Sequence, residues 1–564
     1  MSHLASLFLL GVATPAPTAA PSTLGAGLIG FSFLLSTVIW APVLVAVILA
    51  TVPNPRGRYD RFMLLTAFWT NVGMLLLTLI GYQQFQLFAS GVQFEEKLPW
   101  LPALGVTYHL GVDGIGISLL LLSGLVGVAS VLAATGVRER AREFFVLLLL
   151  AQAGINGVIA ARDFFVLVLF WSAASVPVAL LVAGWGSAAP GGLVARLRGA
   201  RRLLAFWGLG SGALLVAGLL LYSAAGSASF DFDYLLKGQP APRIQIVIGG
   251  LLLVAAATRL PLFPLHGWAR DVLAEAQPGV AVLIAGLECR LGALVLIRLL
   301  PGATPDAART LAPFIAAIGA ITVGYAALAA LRAGEIRRMG AYLALIPGGL
   351  TVLGVGGLTP LALTGAVLSL FAGGLAAALI VGVCATIAER AEARSFSVLA
   401  GLGPRTPRLA WLFVVAGLAV LGAPFLATFL SSLMIVLGSA QTQPAWLFVA
   451  AAGVVLAVVT VAWAVHRVMF GAPNPDAPTP ADSSLSESWY LGILVGALIW
   501  VGLVPGGPKL AQVPLFDPGL ANVVSQAAAD LAAPFAIPSP SPPTPPASSS
   551  TPSTSPAPSP SASP

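Results

Sequence analysis

Val280 to Leu300 reads VAVLIAGLECRLGALVLIRLL, with Pro278 and Gly279 before it and Pro301 after it. At about 1.5 Å per residue, a helix of this length crosses the roughly 30 Å hydrocarbon core of a bilayer. The run carries only three charges, Glu288, Arg290 and Arg298. What lies on either side is more of the same. Comparable apolar runs are centred near Val43, Leu75, Leu122, Leu150, Phe170, Ala213, Leu252, Ala317, Leu345, Leu370, Val420, Val455 and Ile493. The reading predicts an all-α polytopic membrane protein of about 14 spans.

Composition agrees. The 564 residues are 58% hydrophobic and 9% charged, with a mean hydropathy of +0.94. Soluble domains carry about 25% charged residues, so these charges are too few to solvate a soluble core of this size. A net charge of +7 would suit a nucleic-acid partner in a soluble protein. In a membrane protein it reads as loop Lys/Arg that fixes orientation, and no nucleic acid is expected. Basic clusters at Arg56/Arg58/Arg61, Arg138/Arg140/Arg142, Arg196/Arg198/Arg201/Arg202, Arg332/Arg337/Arg338 and Arg390/Arg394/Arg405/Arg408 fall in alternate loops, the cytoplasmic ones. The loop before the third span carries Glu95 and Glu96 instead. An even number of spans then leaves both termini outside the cytoplasm, and the expected location is a bacterial plasma membrane. Cys289 and Cys384 have neither zinc spacing nor a disulfide framework.

Residues 1–26 hold a short apolar run, Leu4 to Val12, then Thr, Ala and Pro. The pattern is signal-like but lacks a basic start. Residues 27–505 form the transmembrane domain and 506–536 a connecting segment. Residues 537–564 are nearly all Pro, Ser, Thr and Ala, with no apolar surface to offset the entropy of ordering, and read as a disordered tail.

Four segments in order carry a family likeness. Tyr108-His109-Leu110-Gly111-Val112-Asp113-Gly114-Ile115 leads into the third span, behind Phe94-Glu95-Glu96 and Trp100. Arg259-Leu260-Pro261-Leu262-Phe263-Pro264-Leu265-His266-Gly267-Trp268 follows, with Asp271, Glu275 and Ala276 behind it. Glu335-Ile336-Arg337-Arg338-Met339-Gly340-Ala341-Tyr342 and His466-Arg467-Val468-Met469-Phe470-Gly471 complete the set. Together they resemble the antiporter-like subunit M of the proton-translocating NADH-quinone oxidoreductase, respiratory complex I. The likeness runs from about Val38 to Pro505. It implies two inverted five-helix repeats, spans 4–8 and 9–13, with helices 7 and 12 broken at mid-membrane. Pro261 and Pro424 stand where those breaks would fall. Proline alone is also compatible with a simple kink; the resemblance favours the break.

The same likeness implies a line of buried proton carriers, and this sequence departs from it at each place. The family's glutamate on helix 5 is matched by Ser172, its lysine on helix 7 by Arg259, its lysine on helix 8 by Arg290. Its helix 11 histidine is matched by Gly373 and its helix 12 carboxylate or lysine by Ser432. Arginine keeps its proton and cannot load and unload as lysine does. The expectation is therefore a degenerate channel. Glu288 is a new charge in the middle of helix 8. Two residues from Arg290, it faces another way, and its expected partner is Arg259. That pair reads either as a relocated proton-carrying site or as a fixed structural ion pair that neutralises a buried arginine.

The remaining charges take simpler readings. Arg298 is expected to snorkel to the interface, Arg162 and Asp163 to cap helix 5, and Asp113 to cap the third span. His266 is placed at the cytoplasmic end of helix 7, in a structural role. The four scattered histidines form no metal site. Without a cysteine cluster or a dinucleotide fingerprint, the chain is expected to bind no cofactor of its own. Quinone and NADH would then be handled by partner subunits of the same membrane complex. A subunit of a multi-subunit cation/proton antiporter, or of a membrane hydrogenase-type or inorganic-carbon uptake complex, is the alternative.

Overall fold

The computed structural model describes residues 33–54, 57–86, 91–186, 192–238, 240–472, 480–504 and 519–535. The expectations for residues 1–26, for 537–564 and for Arg56 lie outside the described residues.

The spans follow one another in chain order. The first six are α1 (Leu34–Thr51), α2 (Asp60–Gln84), α3 (Gly114–Leu132), α4 (Ala141–Ala160), α5 (Phe164–Gly184) and α6 (Gly192–Ala224). The seventh is made of two pieces, α7 (Pro242–Arg259) and α8 (Gly267–Glu275). Then come α9 (Pro278–Ala303), α10 (Pro305–Leu331), α11 (Ile336–Gly357) and α12 (Pro360–Arg390). The twelfth is again two pieces, α13 (Pro407–Leu421) and α14 (Ala427–Ser439). α15 (Pro444–Phe470) and α16 (Leu485–Leu503) complete the set. Among the described residues, 13 helices are long and apolar enough to cross a membrane. The split twelfth span brings the total to the fourteen that the apolar runs suggest.

Local sequence sets the ends. Proline opens α7, α9, α10, α12, α13 and α15, where a missing N–H costs nothing. Side chains cap others: Asp113 accepts from Gly116 N, Asp163 from Phe165 N and Val166 N, and Ser484 forms a capping box with Glu487. Helices 7 and 12 break at Leu260–His266 and Gly422–Leu426, the stretches that hold Pro261 and Pro424. Gly422 sits at φ +71°, a left-handed turn that glycine adopts freely. A repeat of five antiparallel spans has odd parity, so a second copy must enter from the opposite side. Each broken helix is the fourth member of its set of five.

Burial separates inner from outer helices. α9 and α12 are buried along their entire apolar windows, whereas α2 is only 28% buried. Large apolar side chains such as Trp411, Phe448 and Leu44 stand exposed around the rim. In water such a surface would be an association hazard; in a bilayer it is the lipid-facing coat. α12 lies at the centre and touches α3, α9, α11, α13, α14 and α16.

Two features outside the spans were not expected. β1 (Gln93–Leu101) and β2 (Val106–Val112) form an antiparallel hairpin on the side of the acidic loop. Its Glu96 accepts from Leu35 N at 2.7 Å and Ser36 N at 3.1 Å, so the hairpin caps α1. A helix α17 (Leu520–Ala532), within the expected connecting segment, packs on α3 and α12.

Two side-chain expectations need correcting. Arg298 does not run out to open surroundings but is held inside the fold. It is 8% exposed, donates to Asp113 Oδ1 at 2.8 Å and to the Ile159 carbonyl at 2.7 Å. Asp113 is close enough, at the mouth of α3, to compete with solvent for that guanidinium. His266 is not at the end of helix 7 but in its break, directly ahead of α8, stacked on Phe263 and tilted against Tyr325.

Candidate functional site

Arg259 is the last residue of α7. The helix stops there, so the negative end of its dipole and its terminal carbonyls point at the break. Trp268 Nε1 satisfies one of them, the Thr258 carbonyl, at 2.8 Å. The guanidinium lies between the faces of Trp171 and Trp207, its carbon 4.3 Å from each ring centre. Nη1 and Nη2 donate to the Trp171 carbonyl at 3.2 and 2.9 Å, and Nη2 donates to Ser175 Oγ at 2.8 Å. Two aromatic faces and three donated hydrogen bonds hold a fixed cation in a fully buried site.

Glu288 arrives from α9. There the helix widens into a π turn over Ile284–Glu288, a distortion that re-aims side chains. Gly292 lets α9 close on α7: a Cβ at that position would stand 2.5 Å from the Ala256 carbonyl oxygen. Glu288 Oε2 thereby comes within 3.4 Å of Arg259 Nε, and both side chains are fully buried. Neither carboxylate oxygen has a hydrogen-bond donor among the described residues, nor does Arg259 Nε have an acceptor. The pair is an ion pair without the two-pronged hydrogen bonding that arginine and carboxylate ordinarily adopt.

Arg290 faces the other way, toward α12. Its Nη1 lies 3.6 Å from where a Cβ on Gly373 would stand. That Cβ would also meet Pro347 Cβ at 2.7 Å. Glycine is therefore what the crowding beside Arg290 admits, and a histidine at this position has no room. Among the described residues no carboxylate is within ion-pair distance of Arg290, and its Nε and Nη1 have no acceptor.

The other sequence candidates are placed as follows. Ser172 is half-buried on α5, next to Trp171, and is not a partner of Arg259; Ser175, one turn further on, takes that role. Ser432 lies across the second break, its Oγ 3.2 Å from the position of a Cβ on Gly422. Arg259 and Glu288 are thus brought together, Arg290 and Gly373 form a second contact, and Ser172 and Ser432 stand apart. Sequence reasoning missed the box of Trp171, Trp207 and Ser175. The signal was present: two tryptophans in spans adjacent to a buried arginine are its natural enclosure.

A second polar cluster lies outside the spans. His109 is buried with Nδ1 2.8 Å from Asp231 Oδ2 and Nε2 2.7 Å from Glu95 Oε1. Lys97 Nζ reaches the same Asp231 oxygen at 2.6 Å. Burial alone would raise the Asp231 carboxyl. The hydrogen bonds from His109 and Lys97 outweigh it and hold that carboxyl well below the usual range. The cluster fastens the hairpin to the loop between α6 and α7.

A family described as "NADH:quinone oxidoreductase/Mrp antiporter, TM" matches residues 161–460, more than half of the chain. The chain belongs to that family. The matched stretch contains Arg259, Glu288, Arg290 and both breaks. Within the family, the chain is similar to "NAD(P)H-quinone oxidoreductase chain 4 2" of Synechococcus sp. (strain JA-2-3B'a(2-13)), with 28% identity over 84% of this chain and 91% of the relative. The antiporter-family fold is shared with a chain of "Respiratory complex I from Thermus thermophilus with bound NADH", at 24% identity and a TM-score of 0.74, covering 88% of this chain and 99% of that one. It is also shared with a chain of "Mrp complex from Dietzia sp. DQ12-45-1b", at 19% identity and a TM-score of 0.75, covering 90% and 98%. It is an integral membrane protein of the antiporter-like class.

Proposed function

We propose that this chain is a proton-translocating membrane subunit of a quinone-oxidoreductase-type complex, in which Glu288 gains and releases a proton beside the fixed charge of Arg259. One observation carries the reading. A buried ion pair that serves only structure is expected to be fully hydrogen-bonded, because unsatisfied charges in a low dielectric are costly. Among the described residues Glu288 has no hydrogen-bond donor on either oxygen, and Arg259 directs its Nη groups to Trp171 and Ser175. The carboxylate is left open to a proton and to water at the point where α7 ends and backbone groups turn inward.

A proton from water converts the carboxylate to the acid, and its return to water restores the ion pair. Arg259 cannot take part by titration; it sets the charge against which Glu288 works. Arg290, without a carboxylate partner among the described residues, would organise water beside α12. This is a different chemistry from the lysine line that the family resemblance implies. Electron transfer, with NADH and quinone, would belong to partner subunits. The relatives named as NAD(P)H-quinone oxidoreductase chain 4 support an oxidoreductase over a separate antiporter. The alternate basic loops support a topology in which both termini lie outside the cytoplasm of a bacterial plasma membrane.

The test is purification of the tagged chain in mild detergent, identification of its companions by mass spectrometry, and reconstitution. NADH- or quinone-reactive subunits that pump protons in liposomes are the expected outcome. Companions restricted to small antiporter subunits would overturn the oxidoreductase assignment.

A further inference from the structure

On the side of the basic loops, α1, α4 and α5 enclose a groove of about 520 Å³ that the proton site does not use. Arg140, Arg142 and Trp185 line its polar end, and Val146, Leu147 and Leu180 its apolar wall. The wall continues onto the lipid-facing coat: Leu180 is half exposed, as are Val47 and Ile48 of α1 and Val176 of α5. The volume is that of a small-molecule site.

The polar end is a built structure. Trp185 is buried and its Nε1 donates to the Glu139 carbonyl at 2.7 Å. Arg140 lies over the Trp185 ring at 4.9 Å and pairs with Glu143, which also lines the groove. Arg142 Nη1 is 3.5 Å from the Val52 carbonyl. Arg196 donates to the carbonyl of Gly184, another wall residue, at 3.4 Å. The groove is therefore lined by two guanidinium groups, of Arg140 and Arg142, and one carboxylate, that of Glu143, already paired with Arg140. Arg140 also holds a left-handed backbone, φ +51°, immediately before α4. That conformation is costly for a non-glycine residue. It turns the Arg140 side chain toward the tryptophan at the positive end of a 20-residue helix.

We propose that this groove binds an anionic phospholipid of the leaflet on the basic-loop side, with its phosphate on Arg140 and Arg142 and an acyl chain along Leu180 and Val146. A free phosphate fits only the polar end and leaves the apolar wall uncovered. An uncharged lipid leaves the excess of guanidinium groups unmatched. Phosphate, glycerol and chain together match the sequence of surfaces from Arg140 down to Leu180. The inference stands apart from the proton-transfer reading and survives its failure.

The experiment uses the assembled complex in phosphatidylcholine vesicles doped with one of two lipids bearing a photoreactive acyl chain, phosphatidylglycerol or phosphatidylcholine. Phosphatidylglycerol is expected to label peptides within 140–150 and 176–185, and phosphatidylcholine to label them far less. The double variant Arg140→Gln/Arg142→Gln should lose labelling on the order of thirtyfold, at about 1 kcal/mol per basic side chain near an anionic head group. Arg140→Lys/Arg142→Lys, which keeps the charge, should retain most of it, and co-purification of partners reports that each variant is assembled. Equal labelling by both lipids would overturn the proposal, as would undiminished labelling of the Gln variant. Capture of these peptides by a neighbouring protein chain instead of lipid would overturn it too.

Discussion

Replacing Glu288 by Gln keeps the shape of the side chain and removes its charge. At the observed 3.4 Å separation, the attraction between Glu288 and Arg259 amounts to about 5 kcal/mol at an effective dielectric constant of about 20. Not all of that is lost. The variant also escapes the cost of desolvating a carboxylate, which is several kcal/mol. Arg259 keeps both tryptophan faces, the Trp171 carbonyl and Ser175. The expected net destabilisation is about 3 kcal/mol, the lower end for breaking a buried pair. The complex should therefore assemble and transfer electrons at near-native rate when uncoupled. In proteoliposomes, the protons moved per electron pair should fall to what the other subunits supply. Glu288→Asp keeps an ionisable group at a longer distance and should recover part of the yield. A native proton yield from Glu288→Gln, with only the stability lowered, would show that the pair is structural and refute the reasoning.

Three further outcomes follow from the geometry. Gly373→His, which puts back the residue type that the family resemblance implies, drives a Cβ to 2.7 Å from Pro347; thermal denaturation in detergent should show a loss of at least about 2 kcal/mol. Arg298→Met removes the partner of Asp113 and a bond to the Ile159 carbonyl. It should lower stability by about 2 kcal/mol, measured the same way. The Asp231 carboxyl is held low by His109 and Lys97 against the opposing effect of burial. Its contribution is present above its ordinary value near about 4 and lost as pH falls from there through the depressed folded value. The protection factors of β1 and β2, corrected for the intrinsic pH dependence of amide exchange, should accordingly hold down to about pH 4 and fall below it. Asp231→Asn should make exchange faster at neutral pH and flatten that acid limb.

The spans were legible because their physics is one-dimensional. Twenty apolar residues in a row have few other readings, and even the breaks were signposted by Pro261 and Pro424. The Arg259–Glu288 contact was also accessible, since a buried arginine needs a carboxylate and only one was within reach. What the chain order hid was three-dimensional. The two tryptophans in neighbouring spans were a visible hint, but the spacing alone does not show that Trp207, midway along α6, would cover the same guanidinium as Trp171. Arg298 looked like an interface residue because its distance from the end of the span fitted snorkelling. Asp113 is remote in sequence, yet the fold sets it against Arg298. The hairpin escaped notice because Gln93–Leu101 mixes apolar and charged residues without a clean alternation, its pairing being irregular near both ends.

The two broken spans also bear on how the chain enters a membrane. α8 has nine residues and α14 has thirteen; a segment needs about 20 to partition across the bilayer by itself. Neither half-helix can be threaded in as a self-sufficient unit during synthesis. α8 and α14 must be carried in by neighbours already in place: α6 beside the first, α11 and α12 beside the second. The exposed carbonyls at each interruption would otherwise face hydrocarbon. Biogenesis is therefore ordered, with the interrupted spans settling after the continuous ones. The Arg259–Glu288 pair, which joins α7 to α9, would close only when α9 has been released from the ribosome and packed.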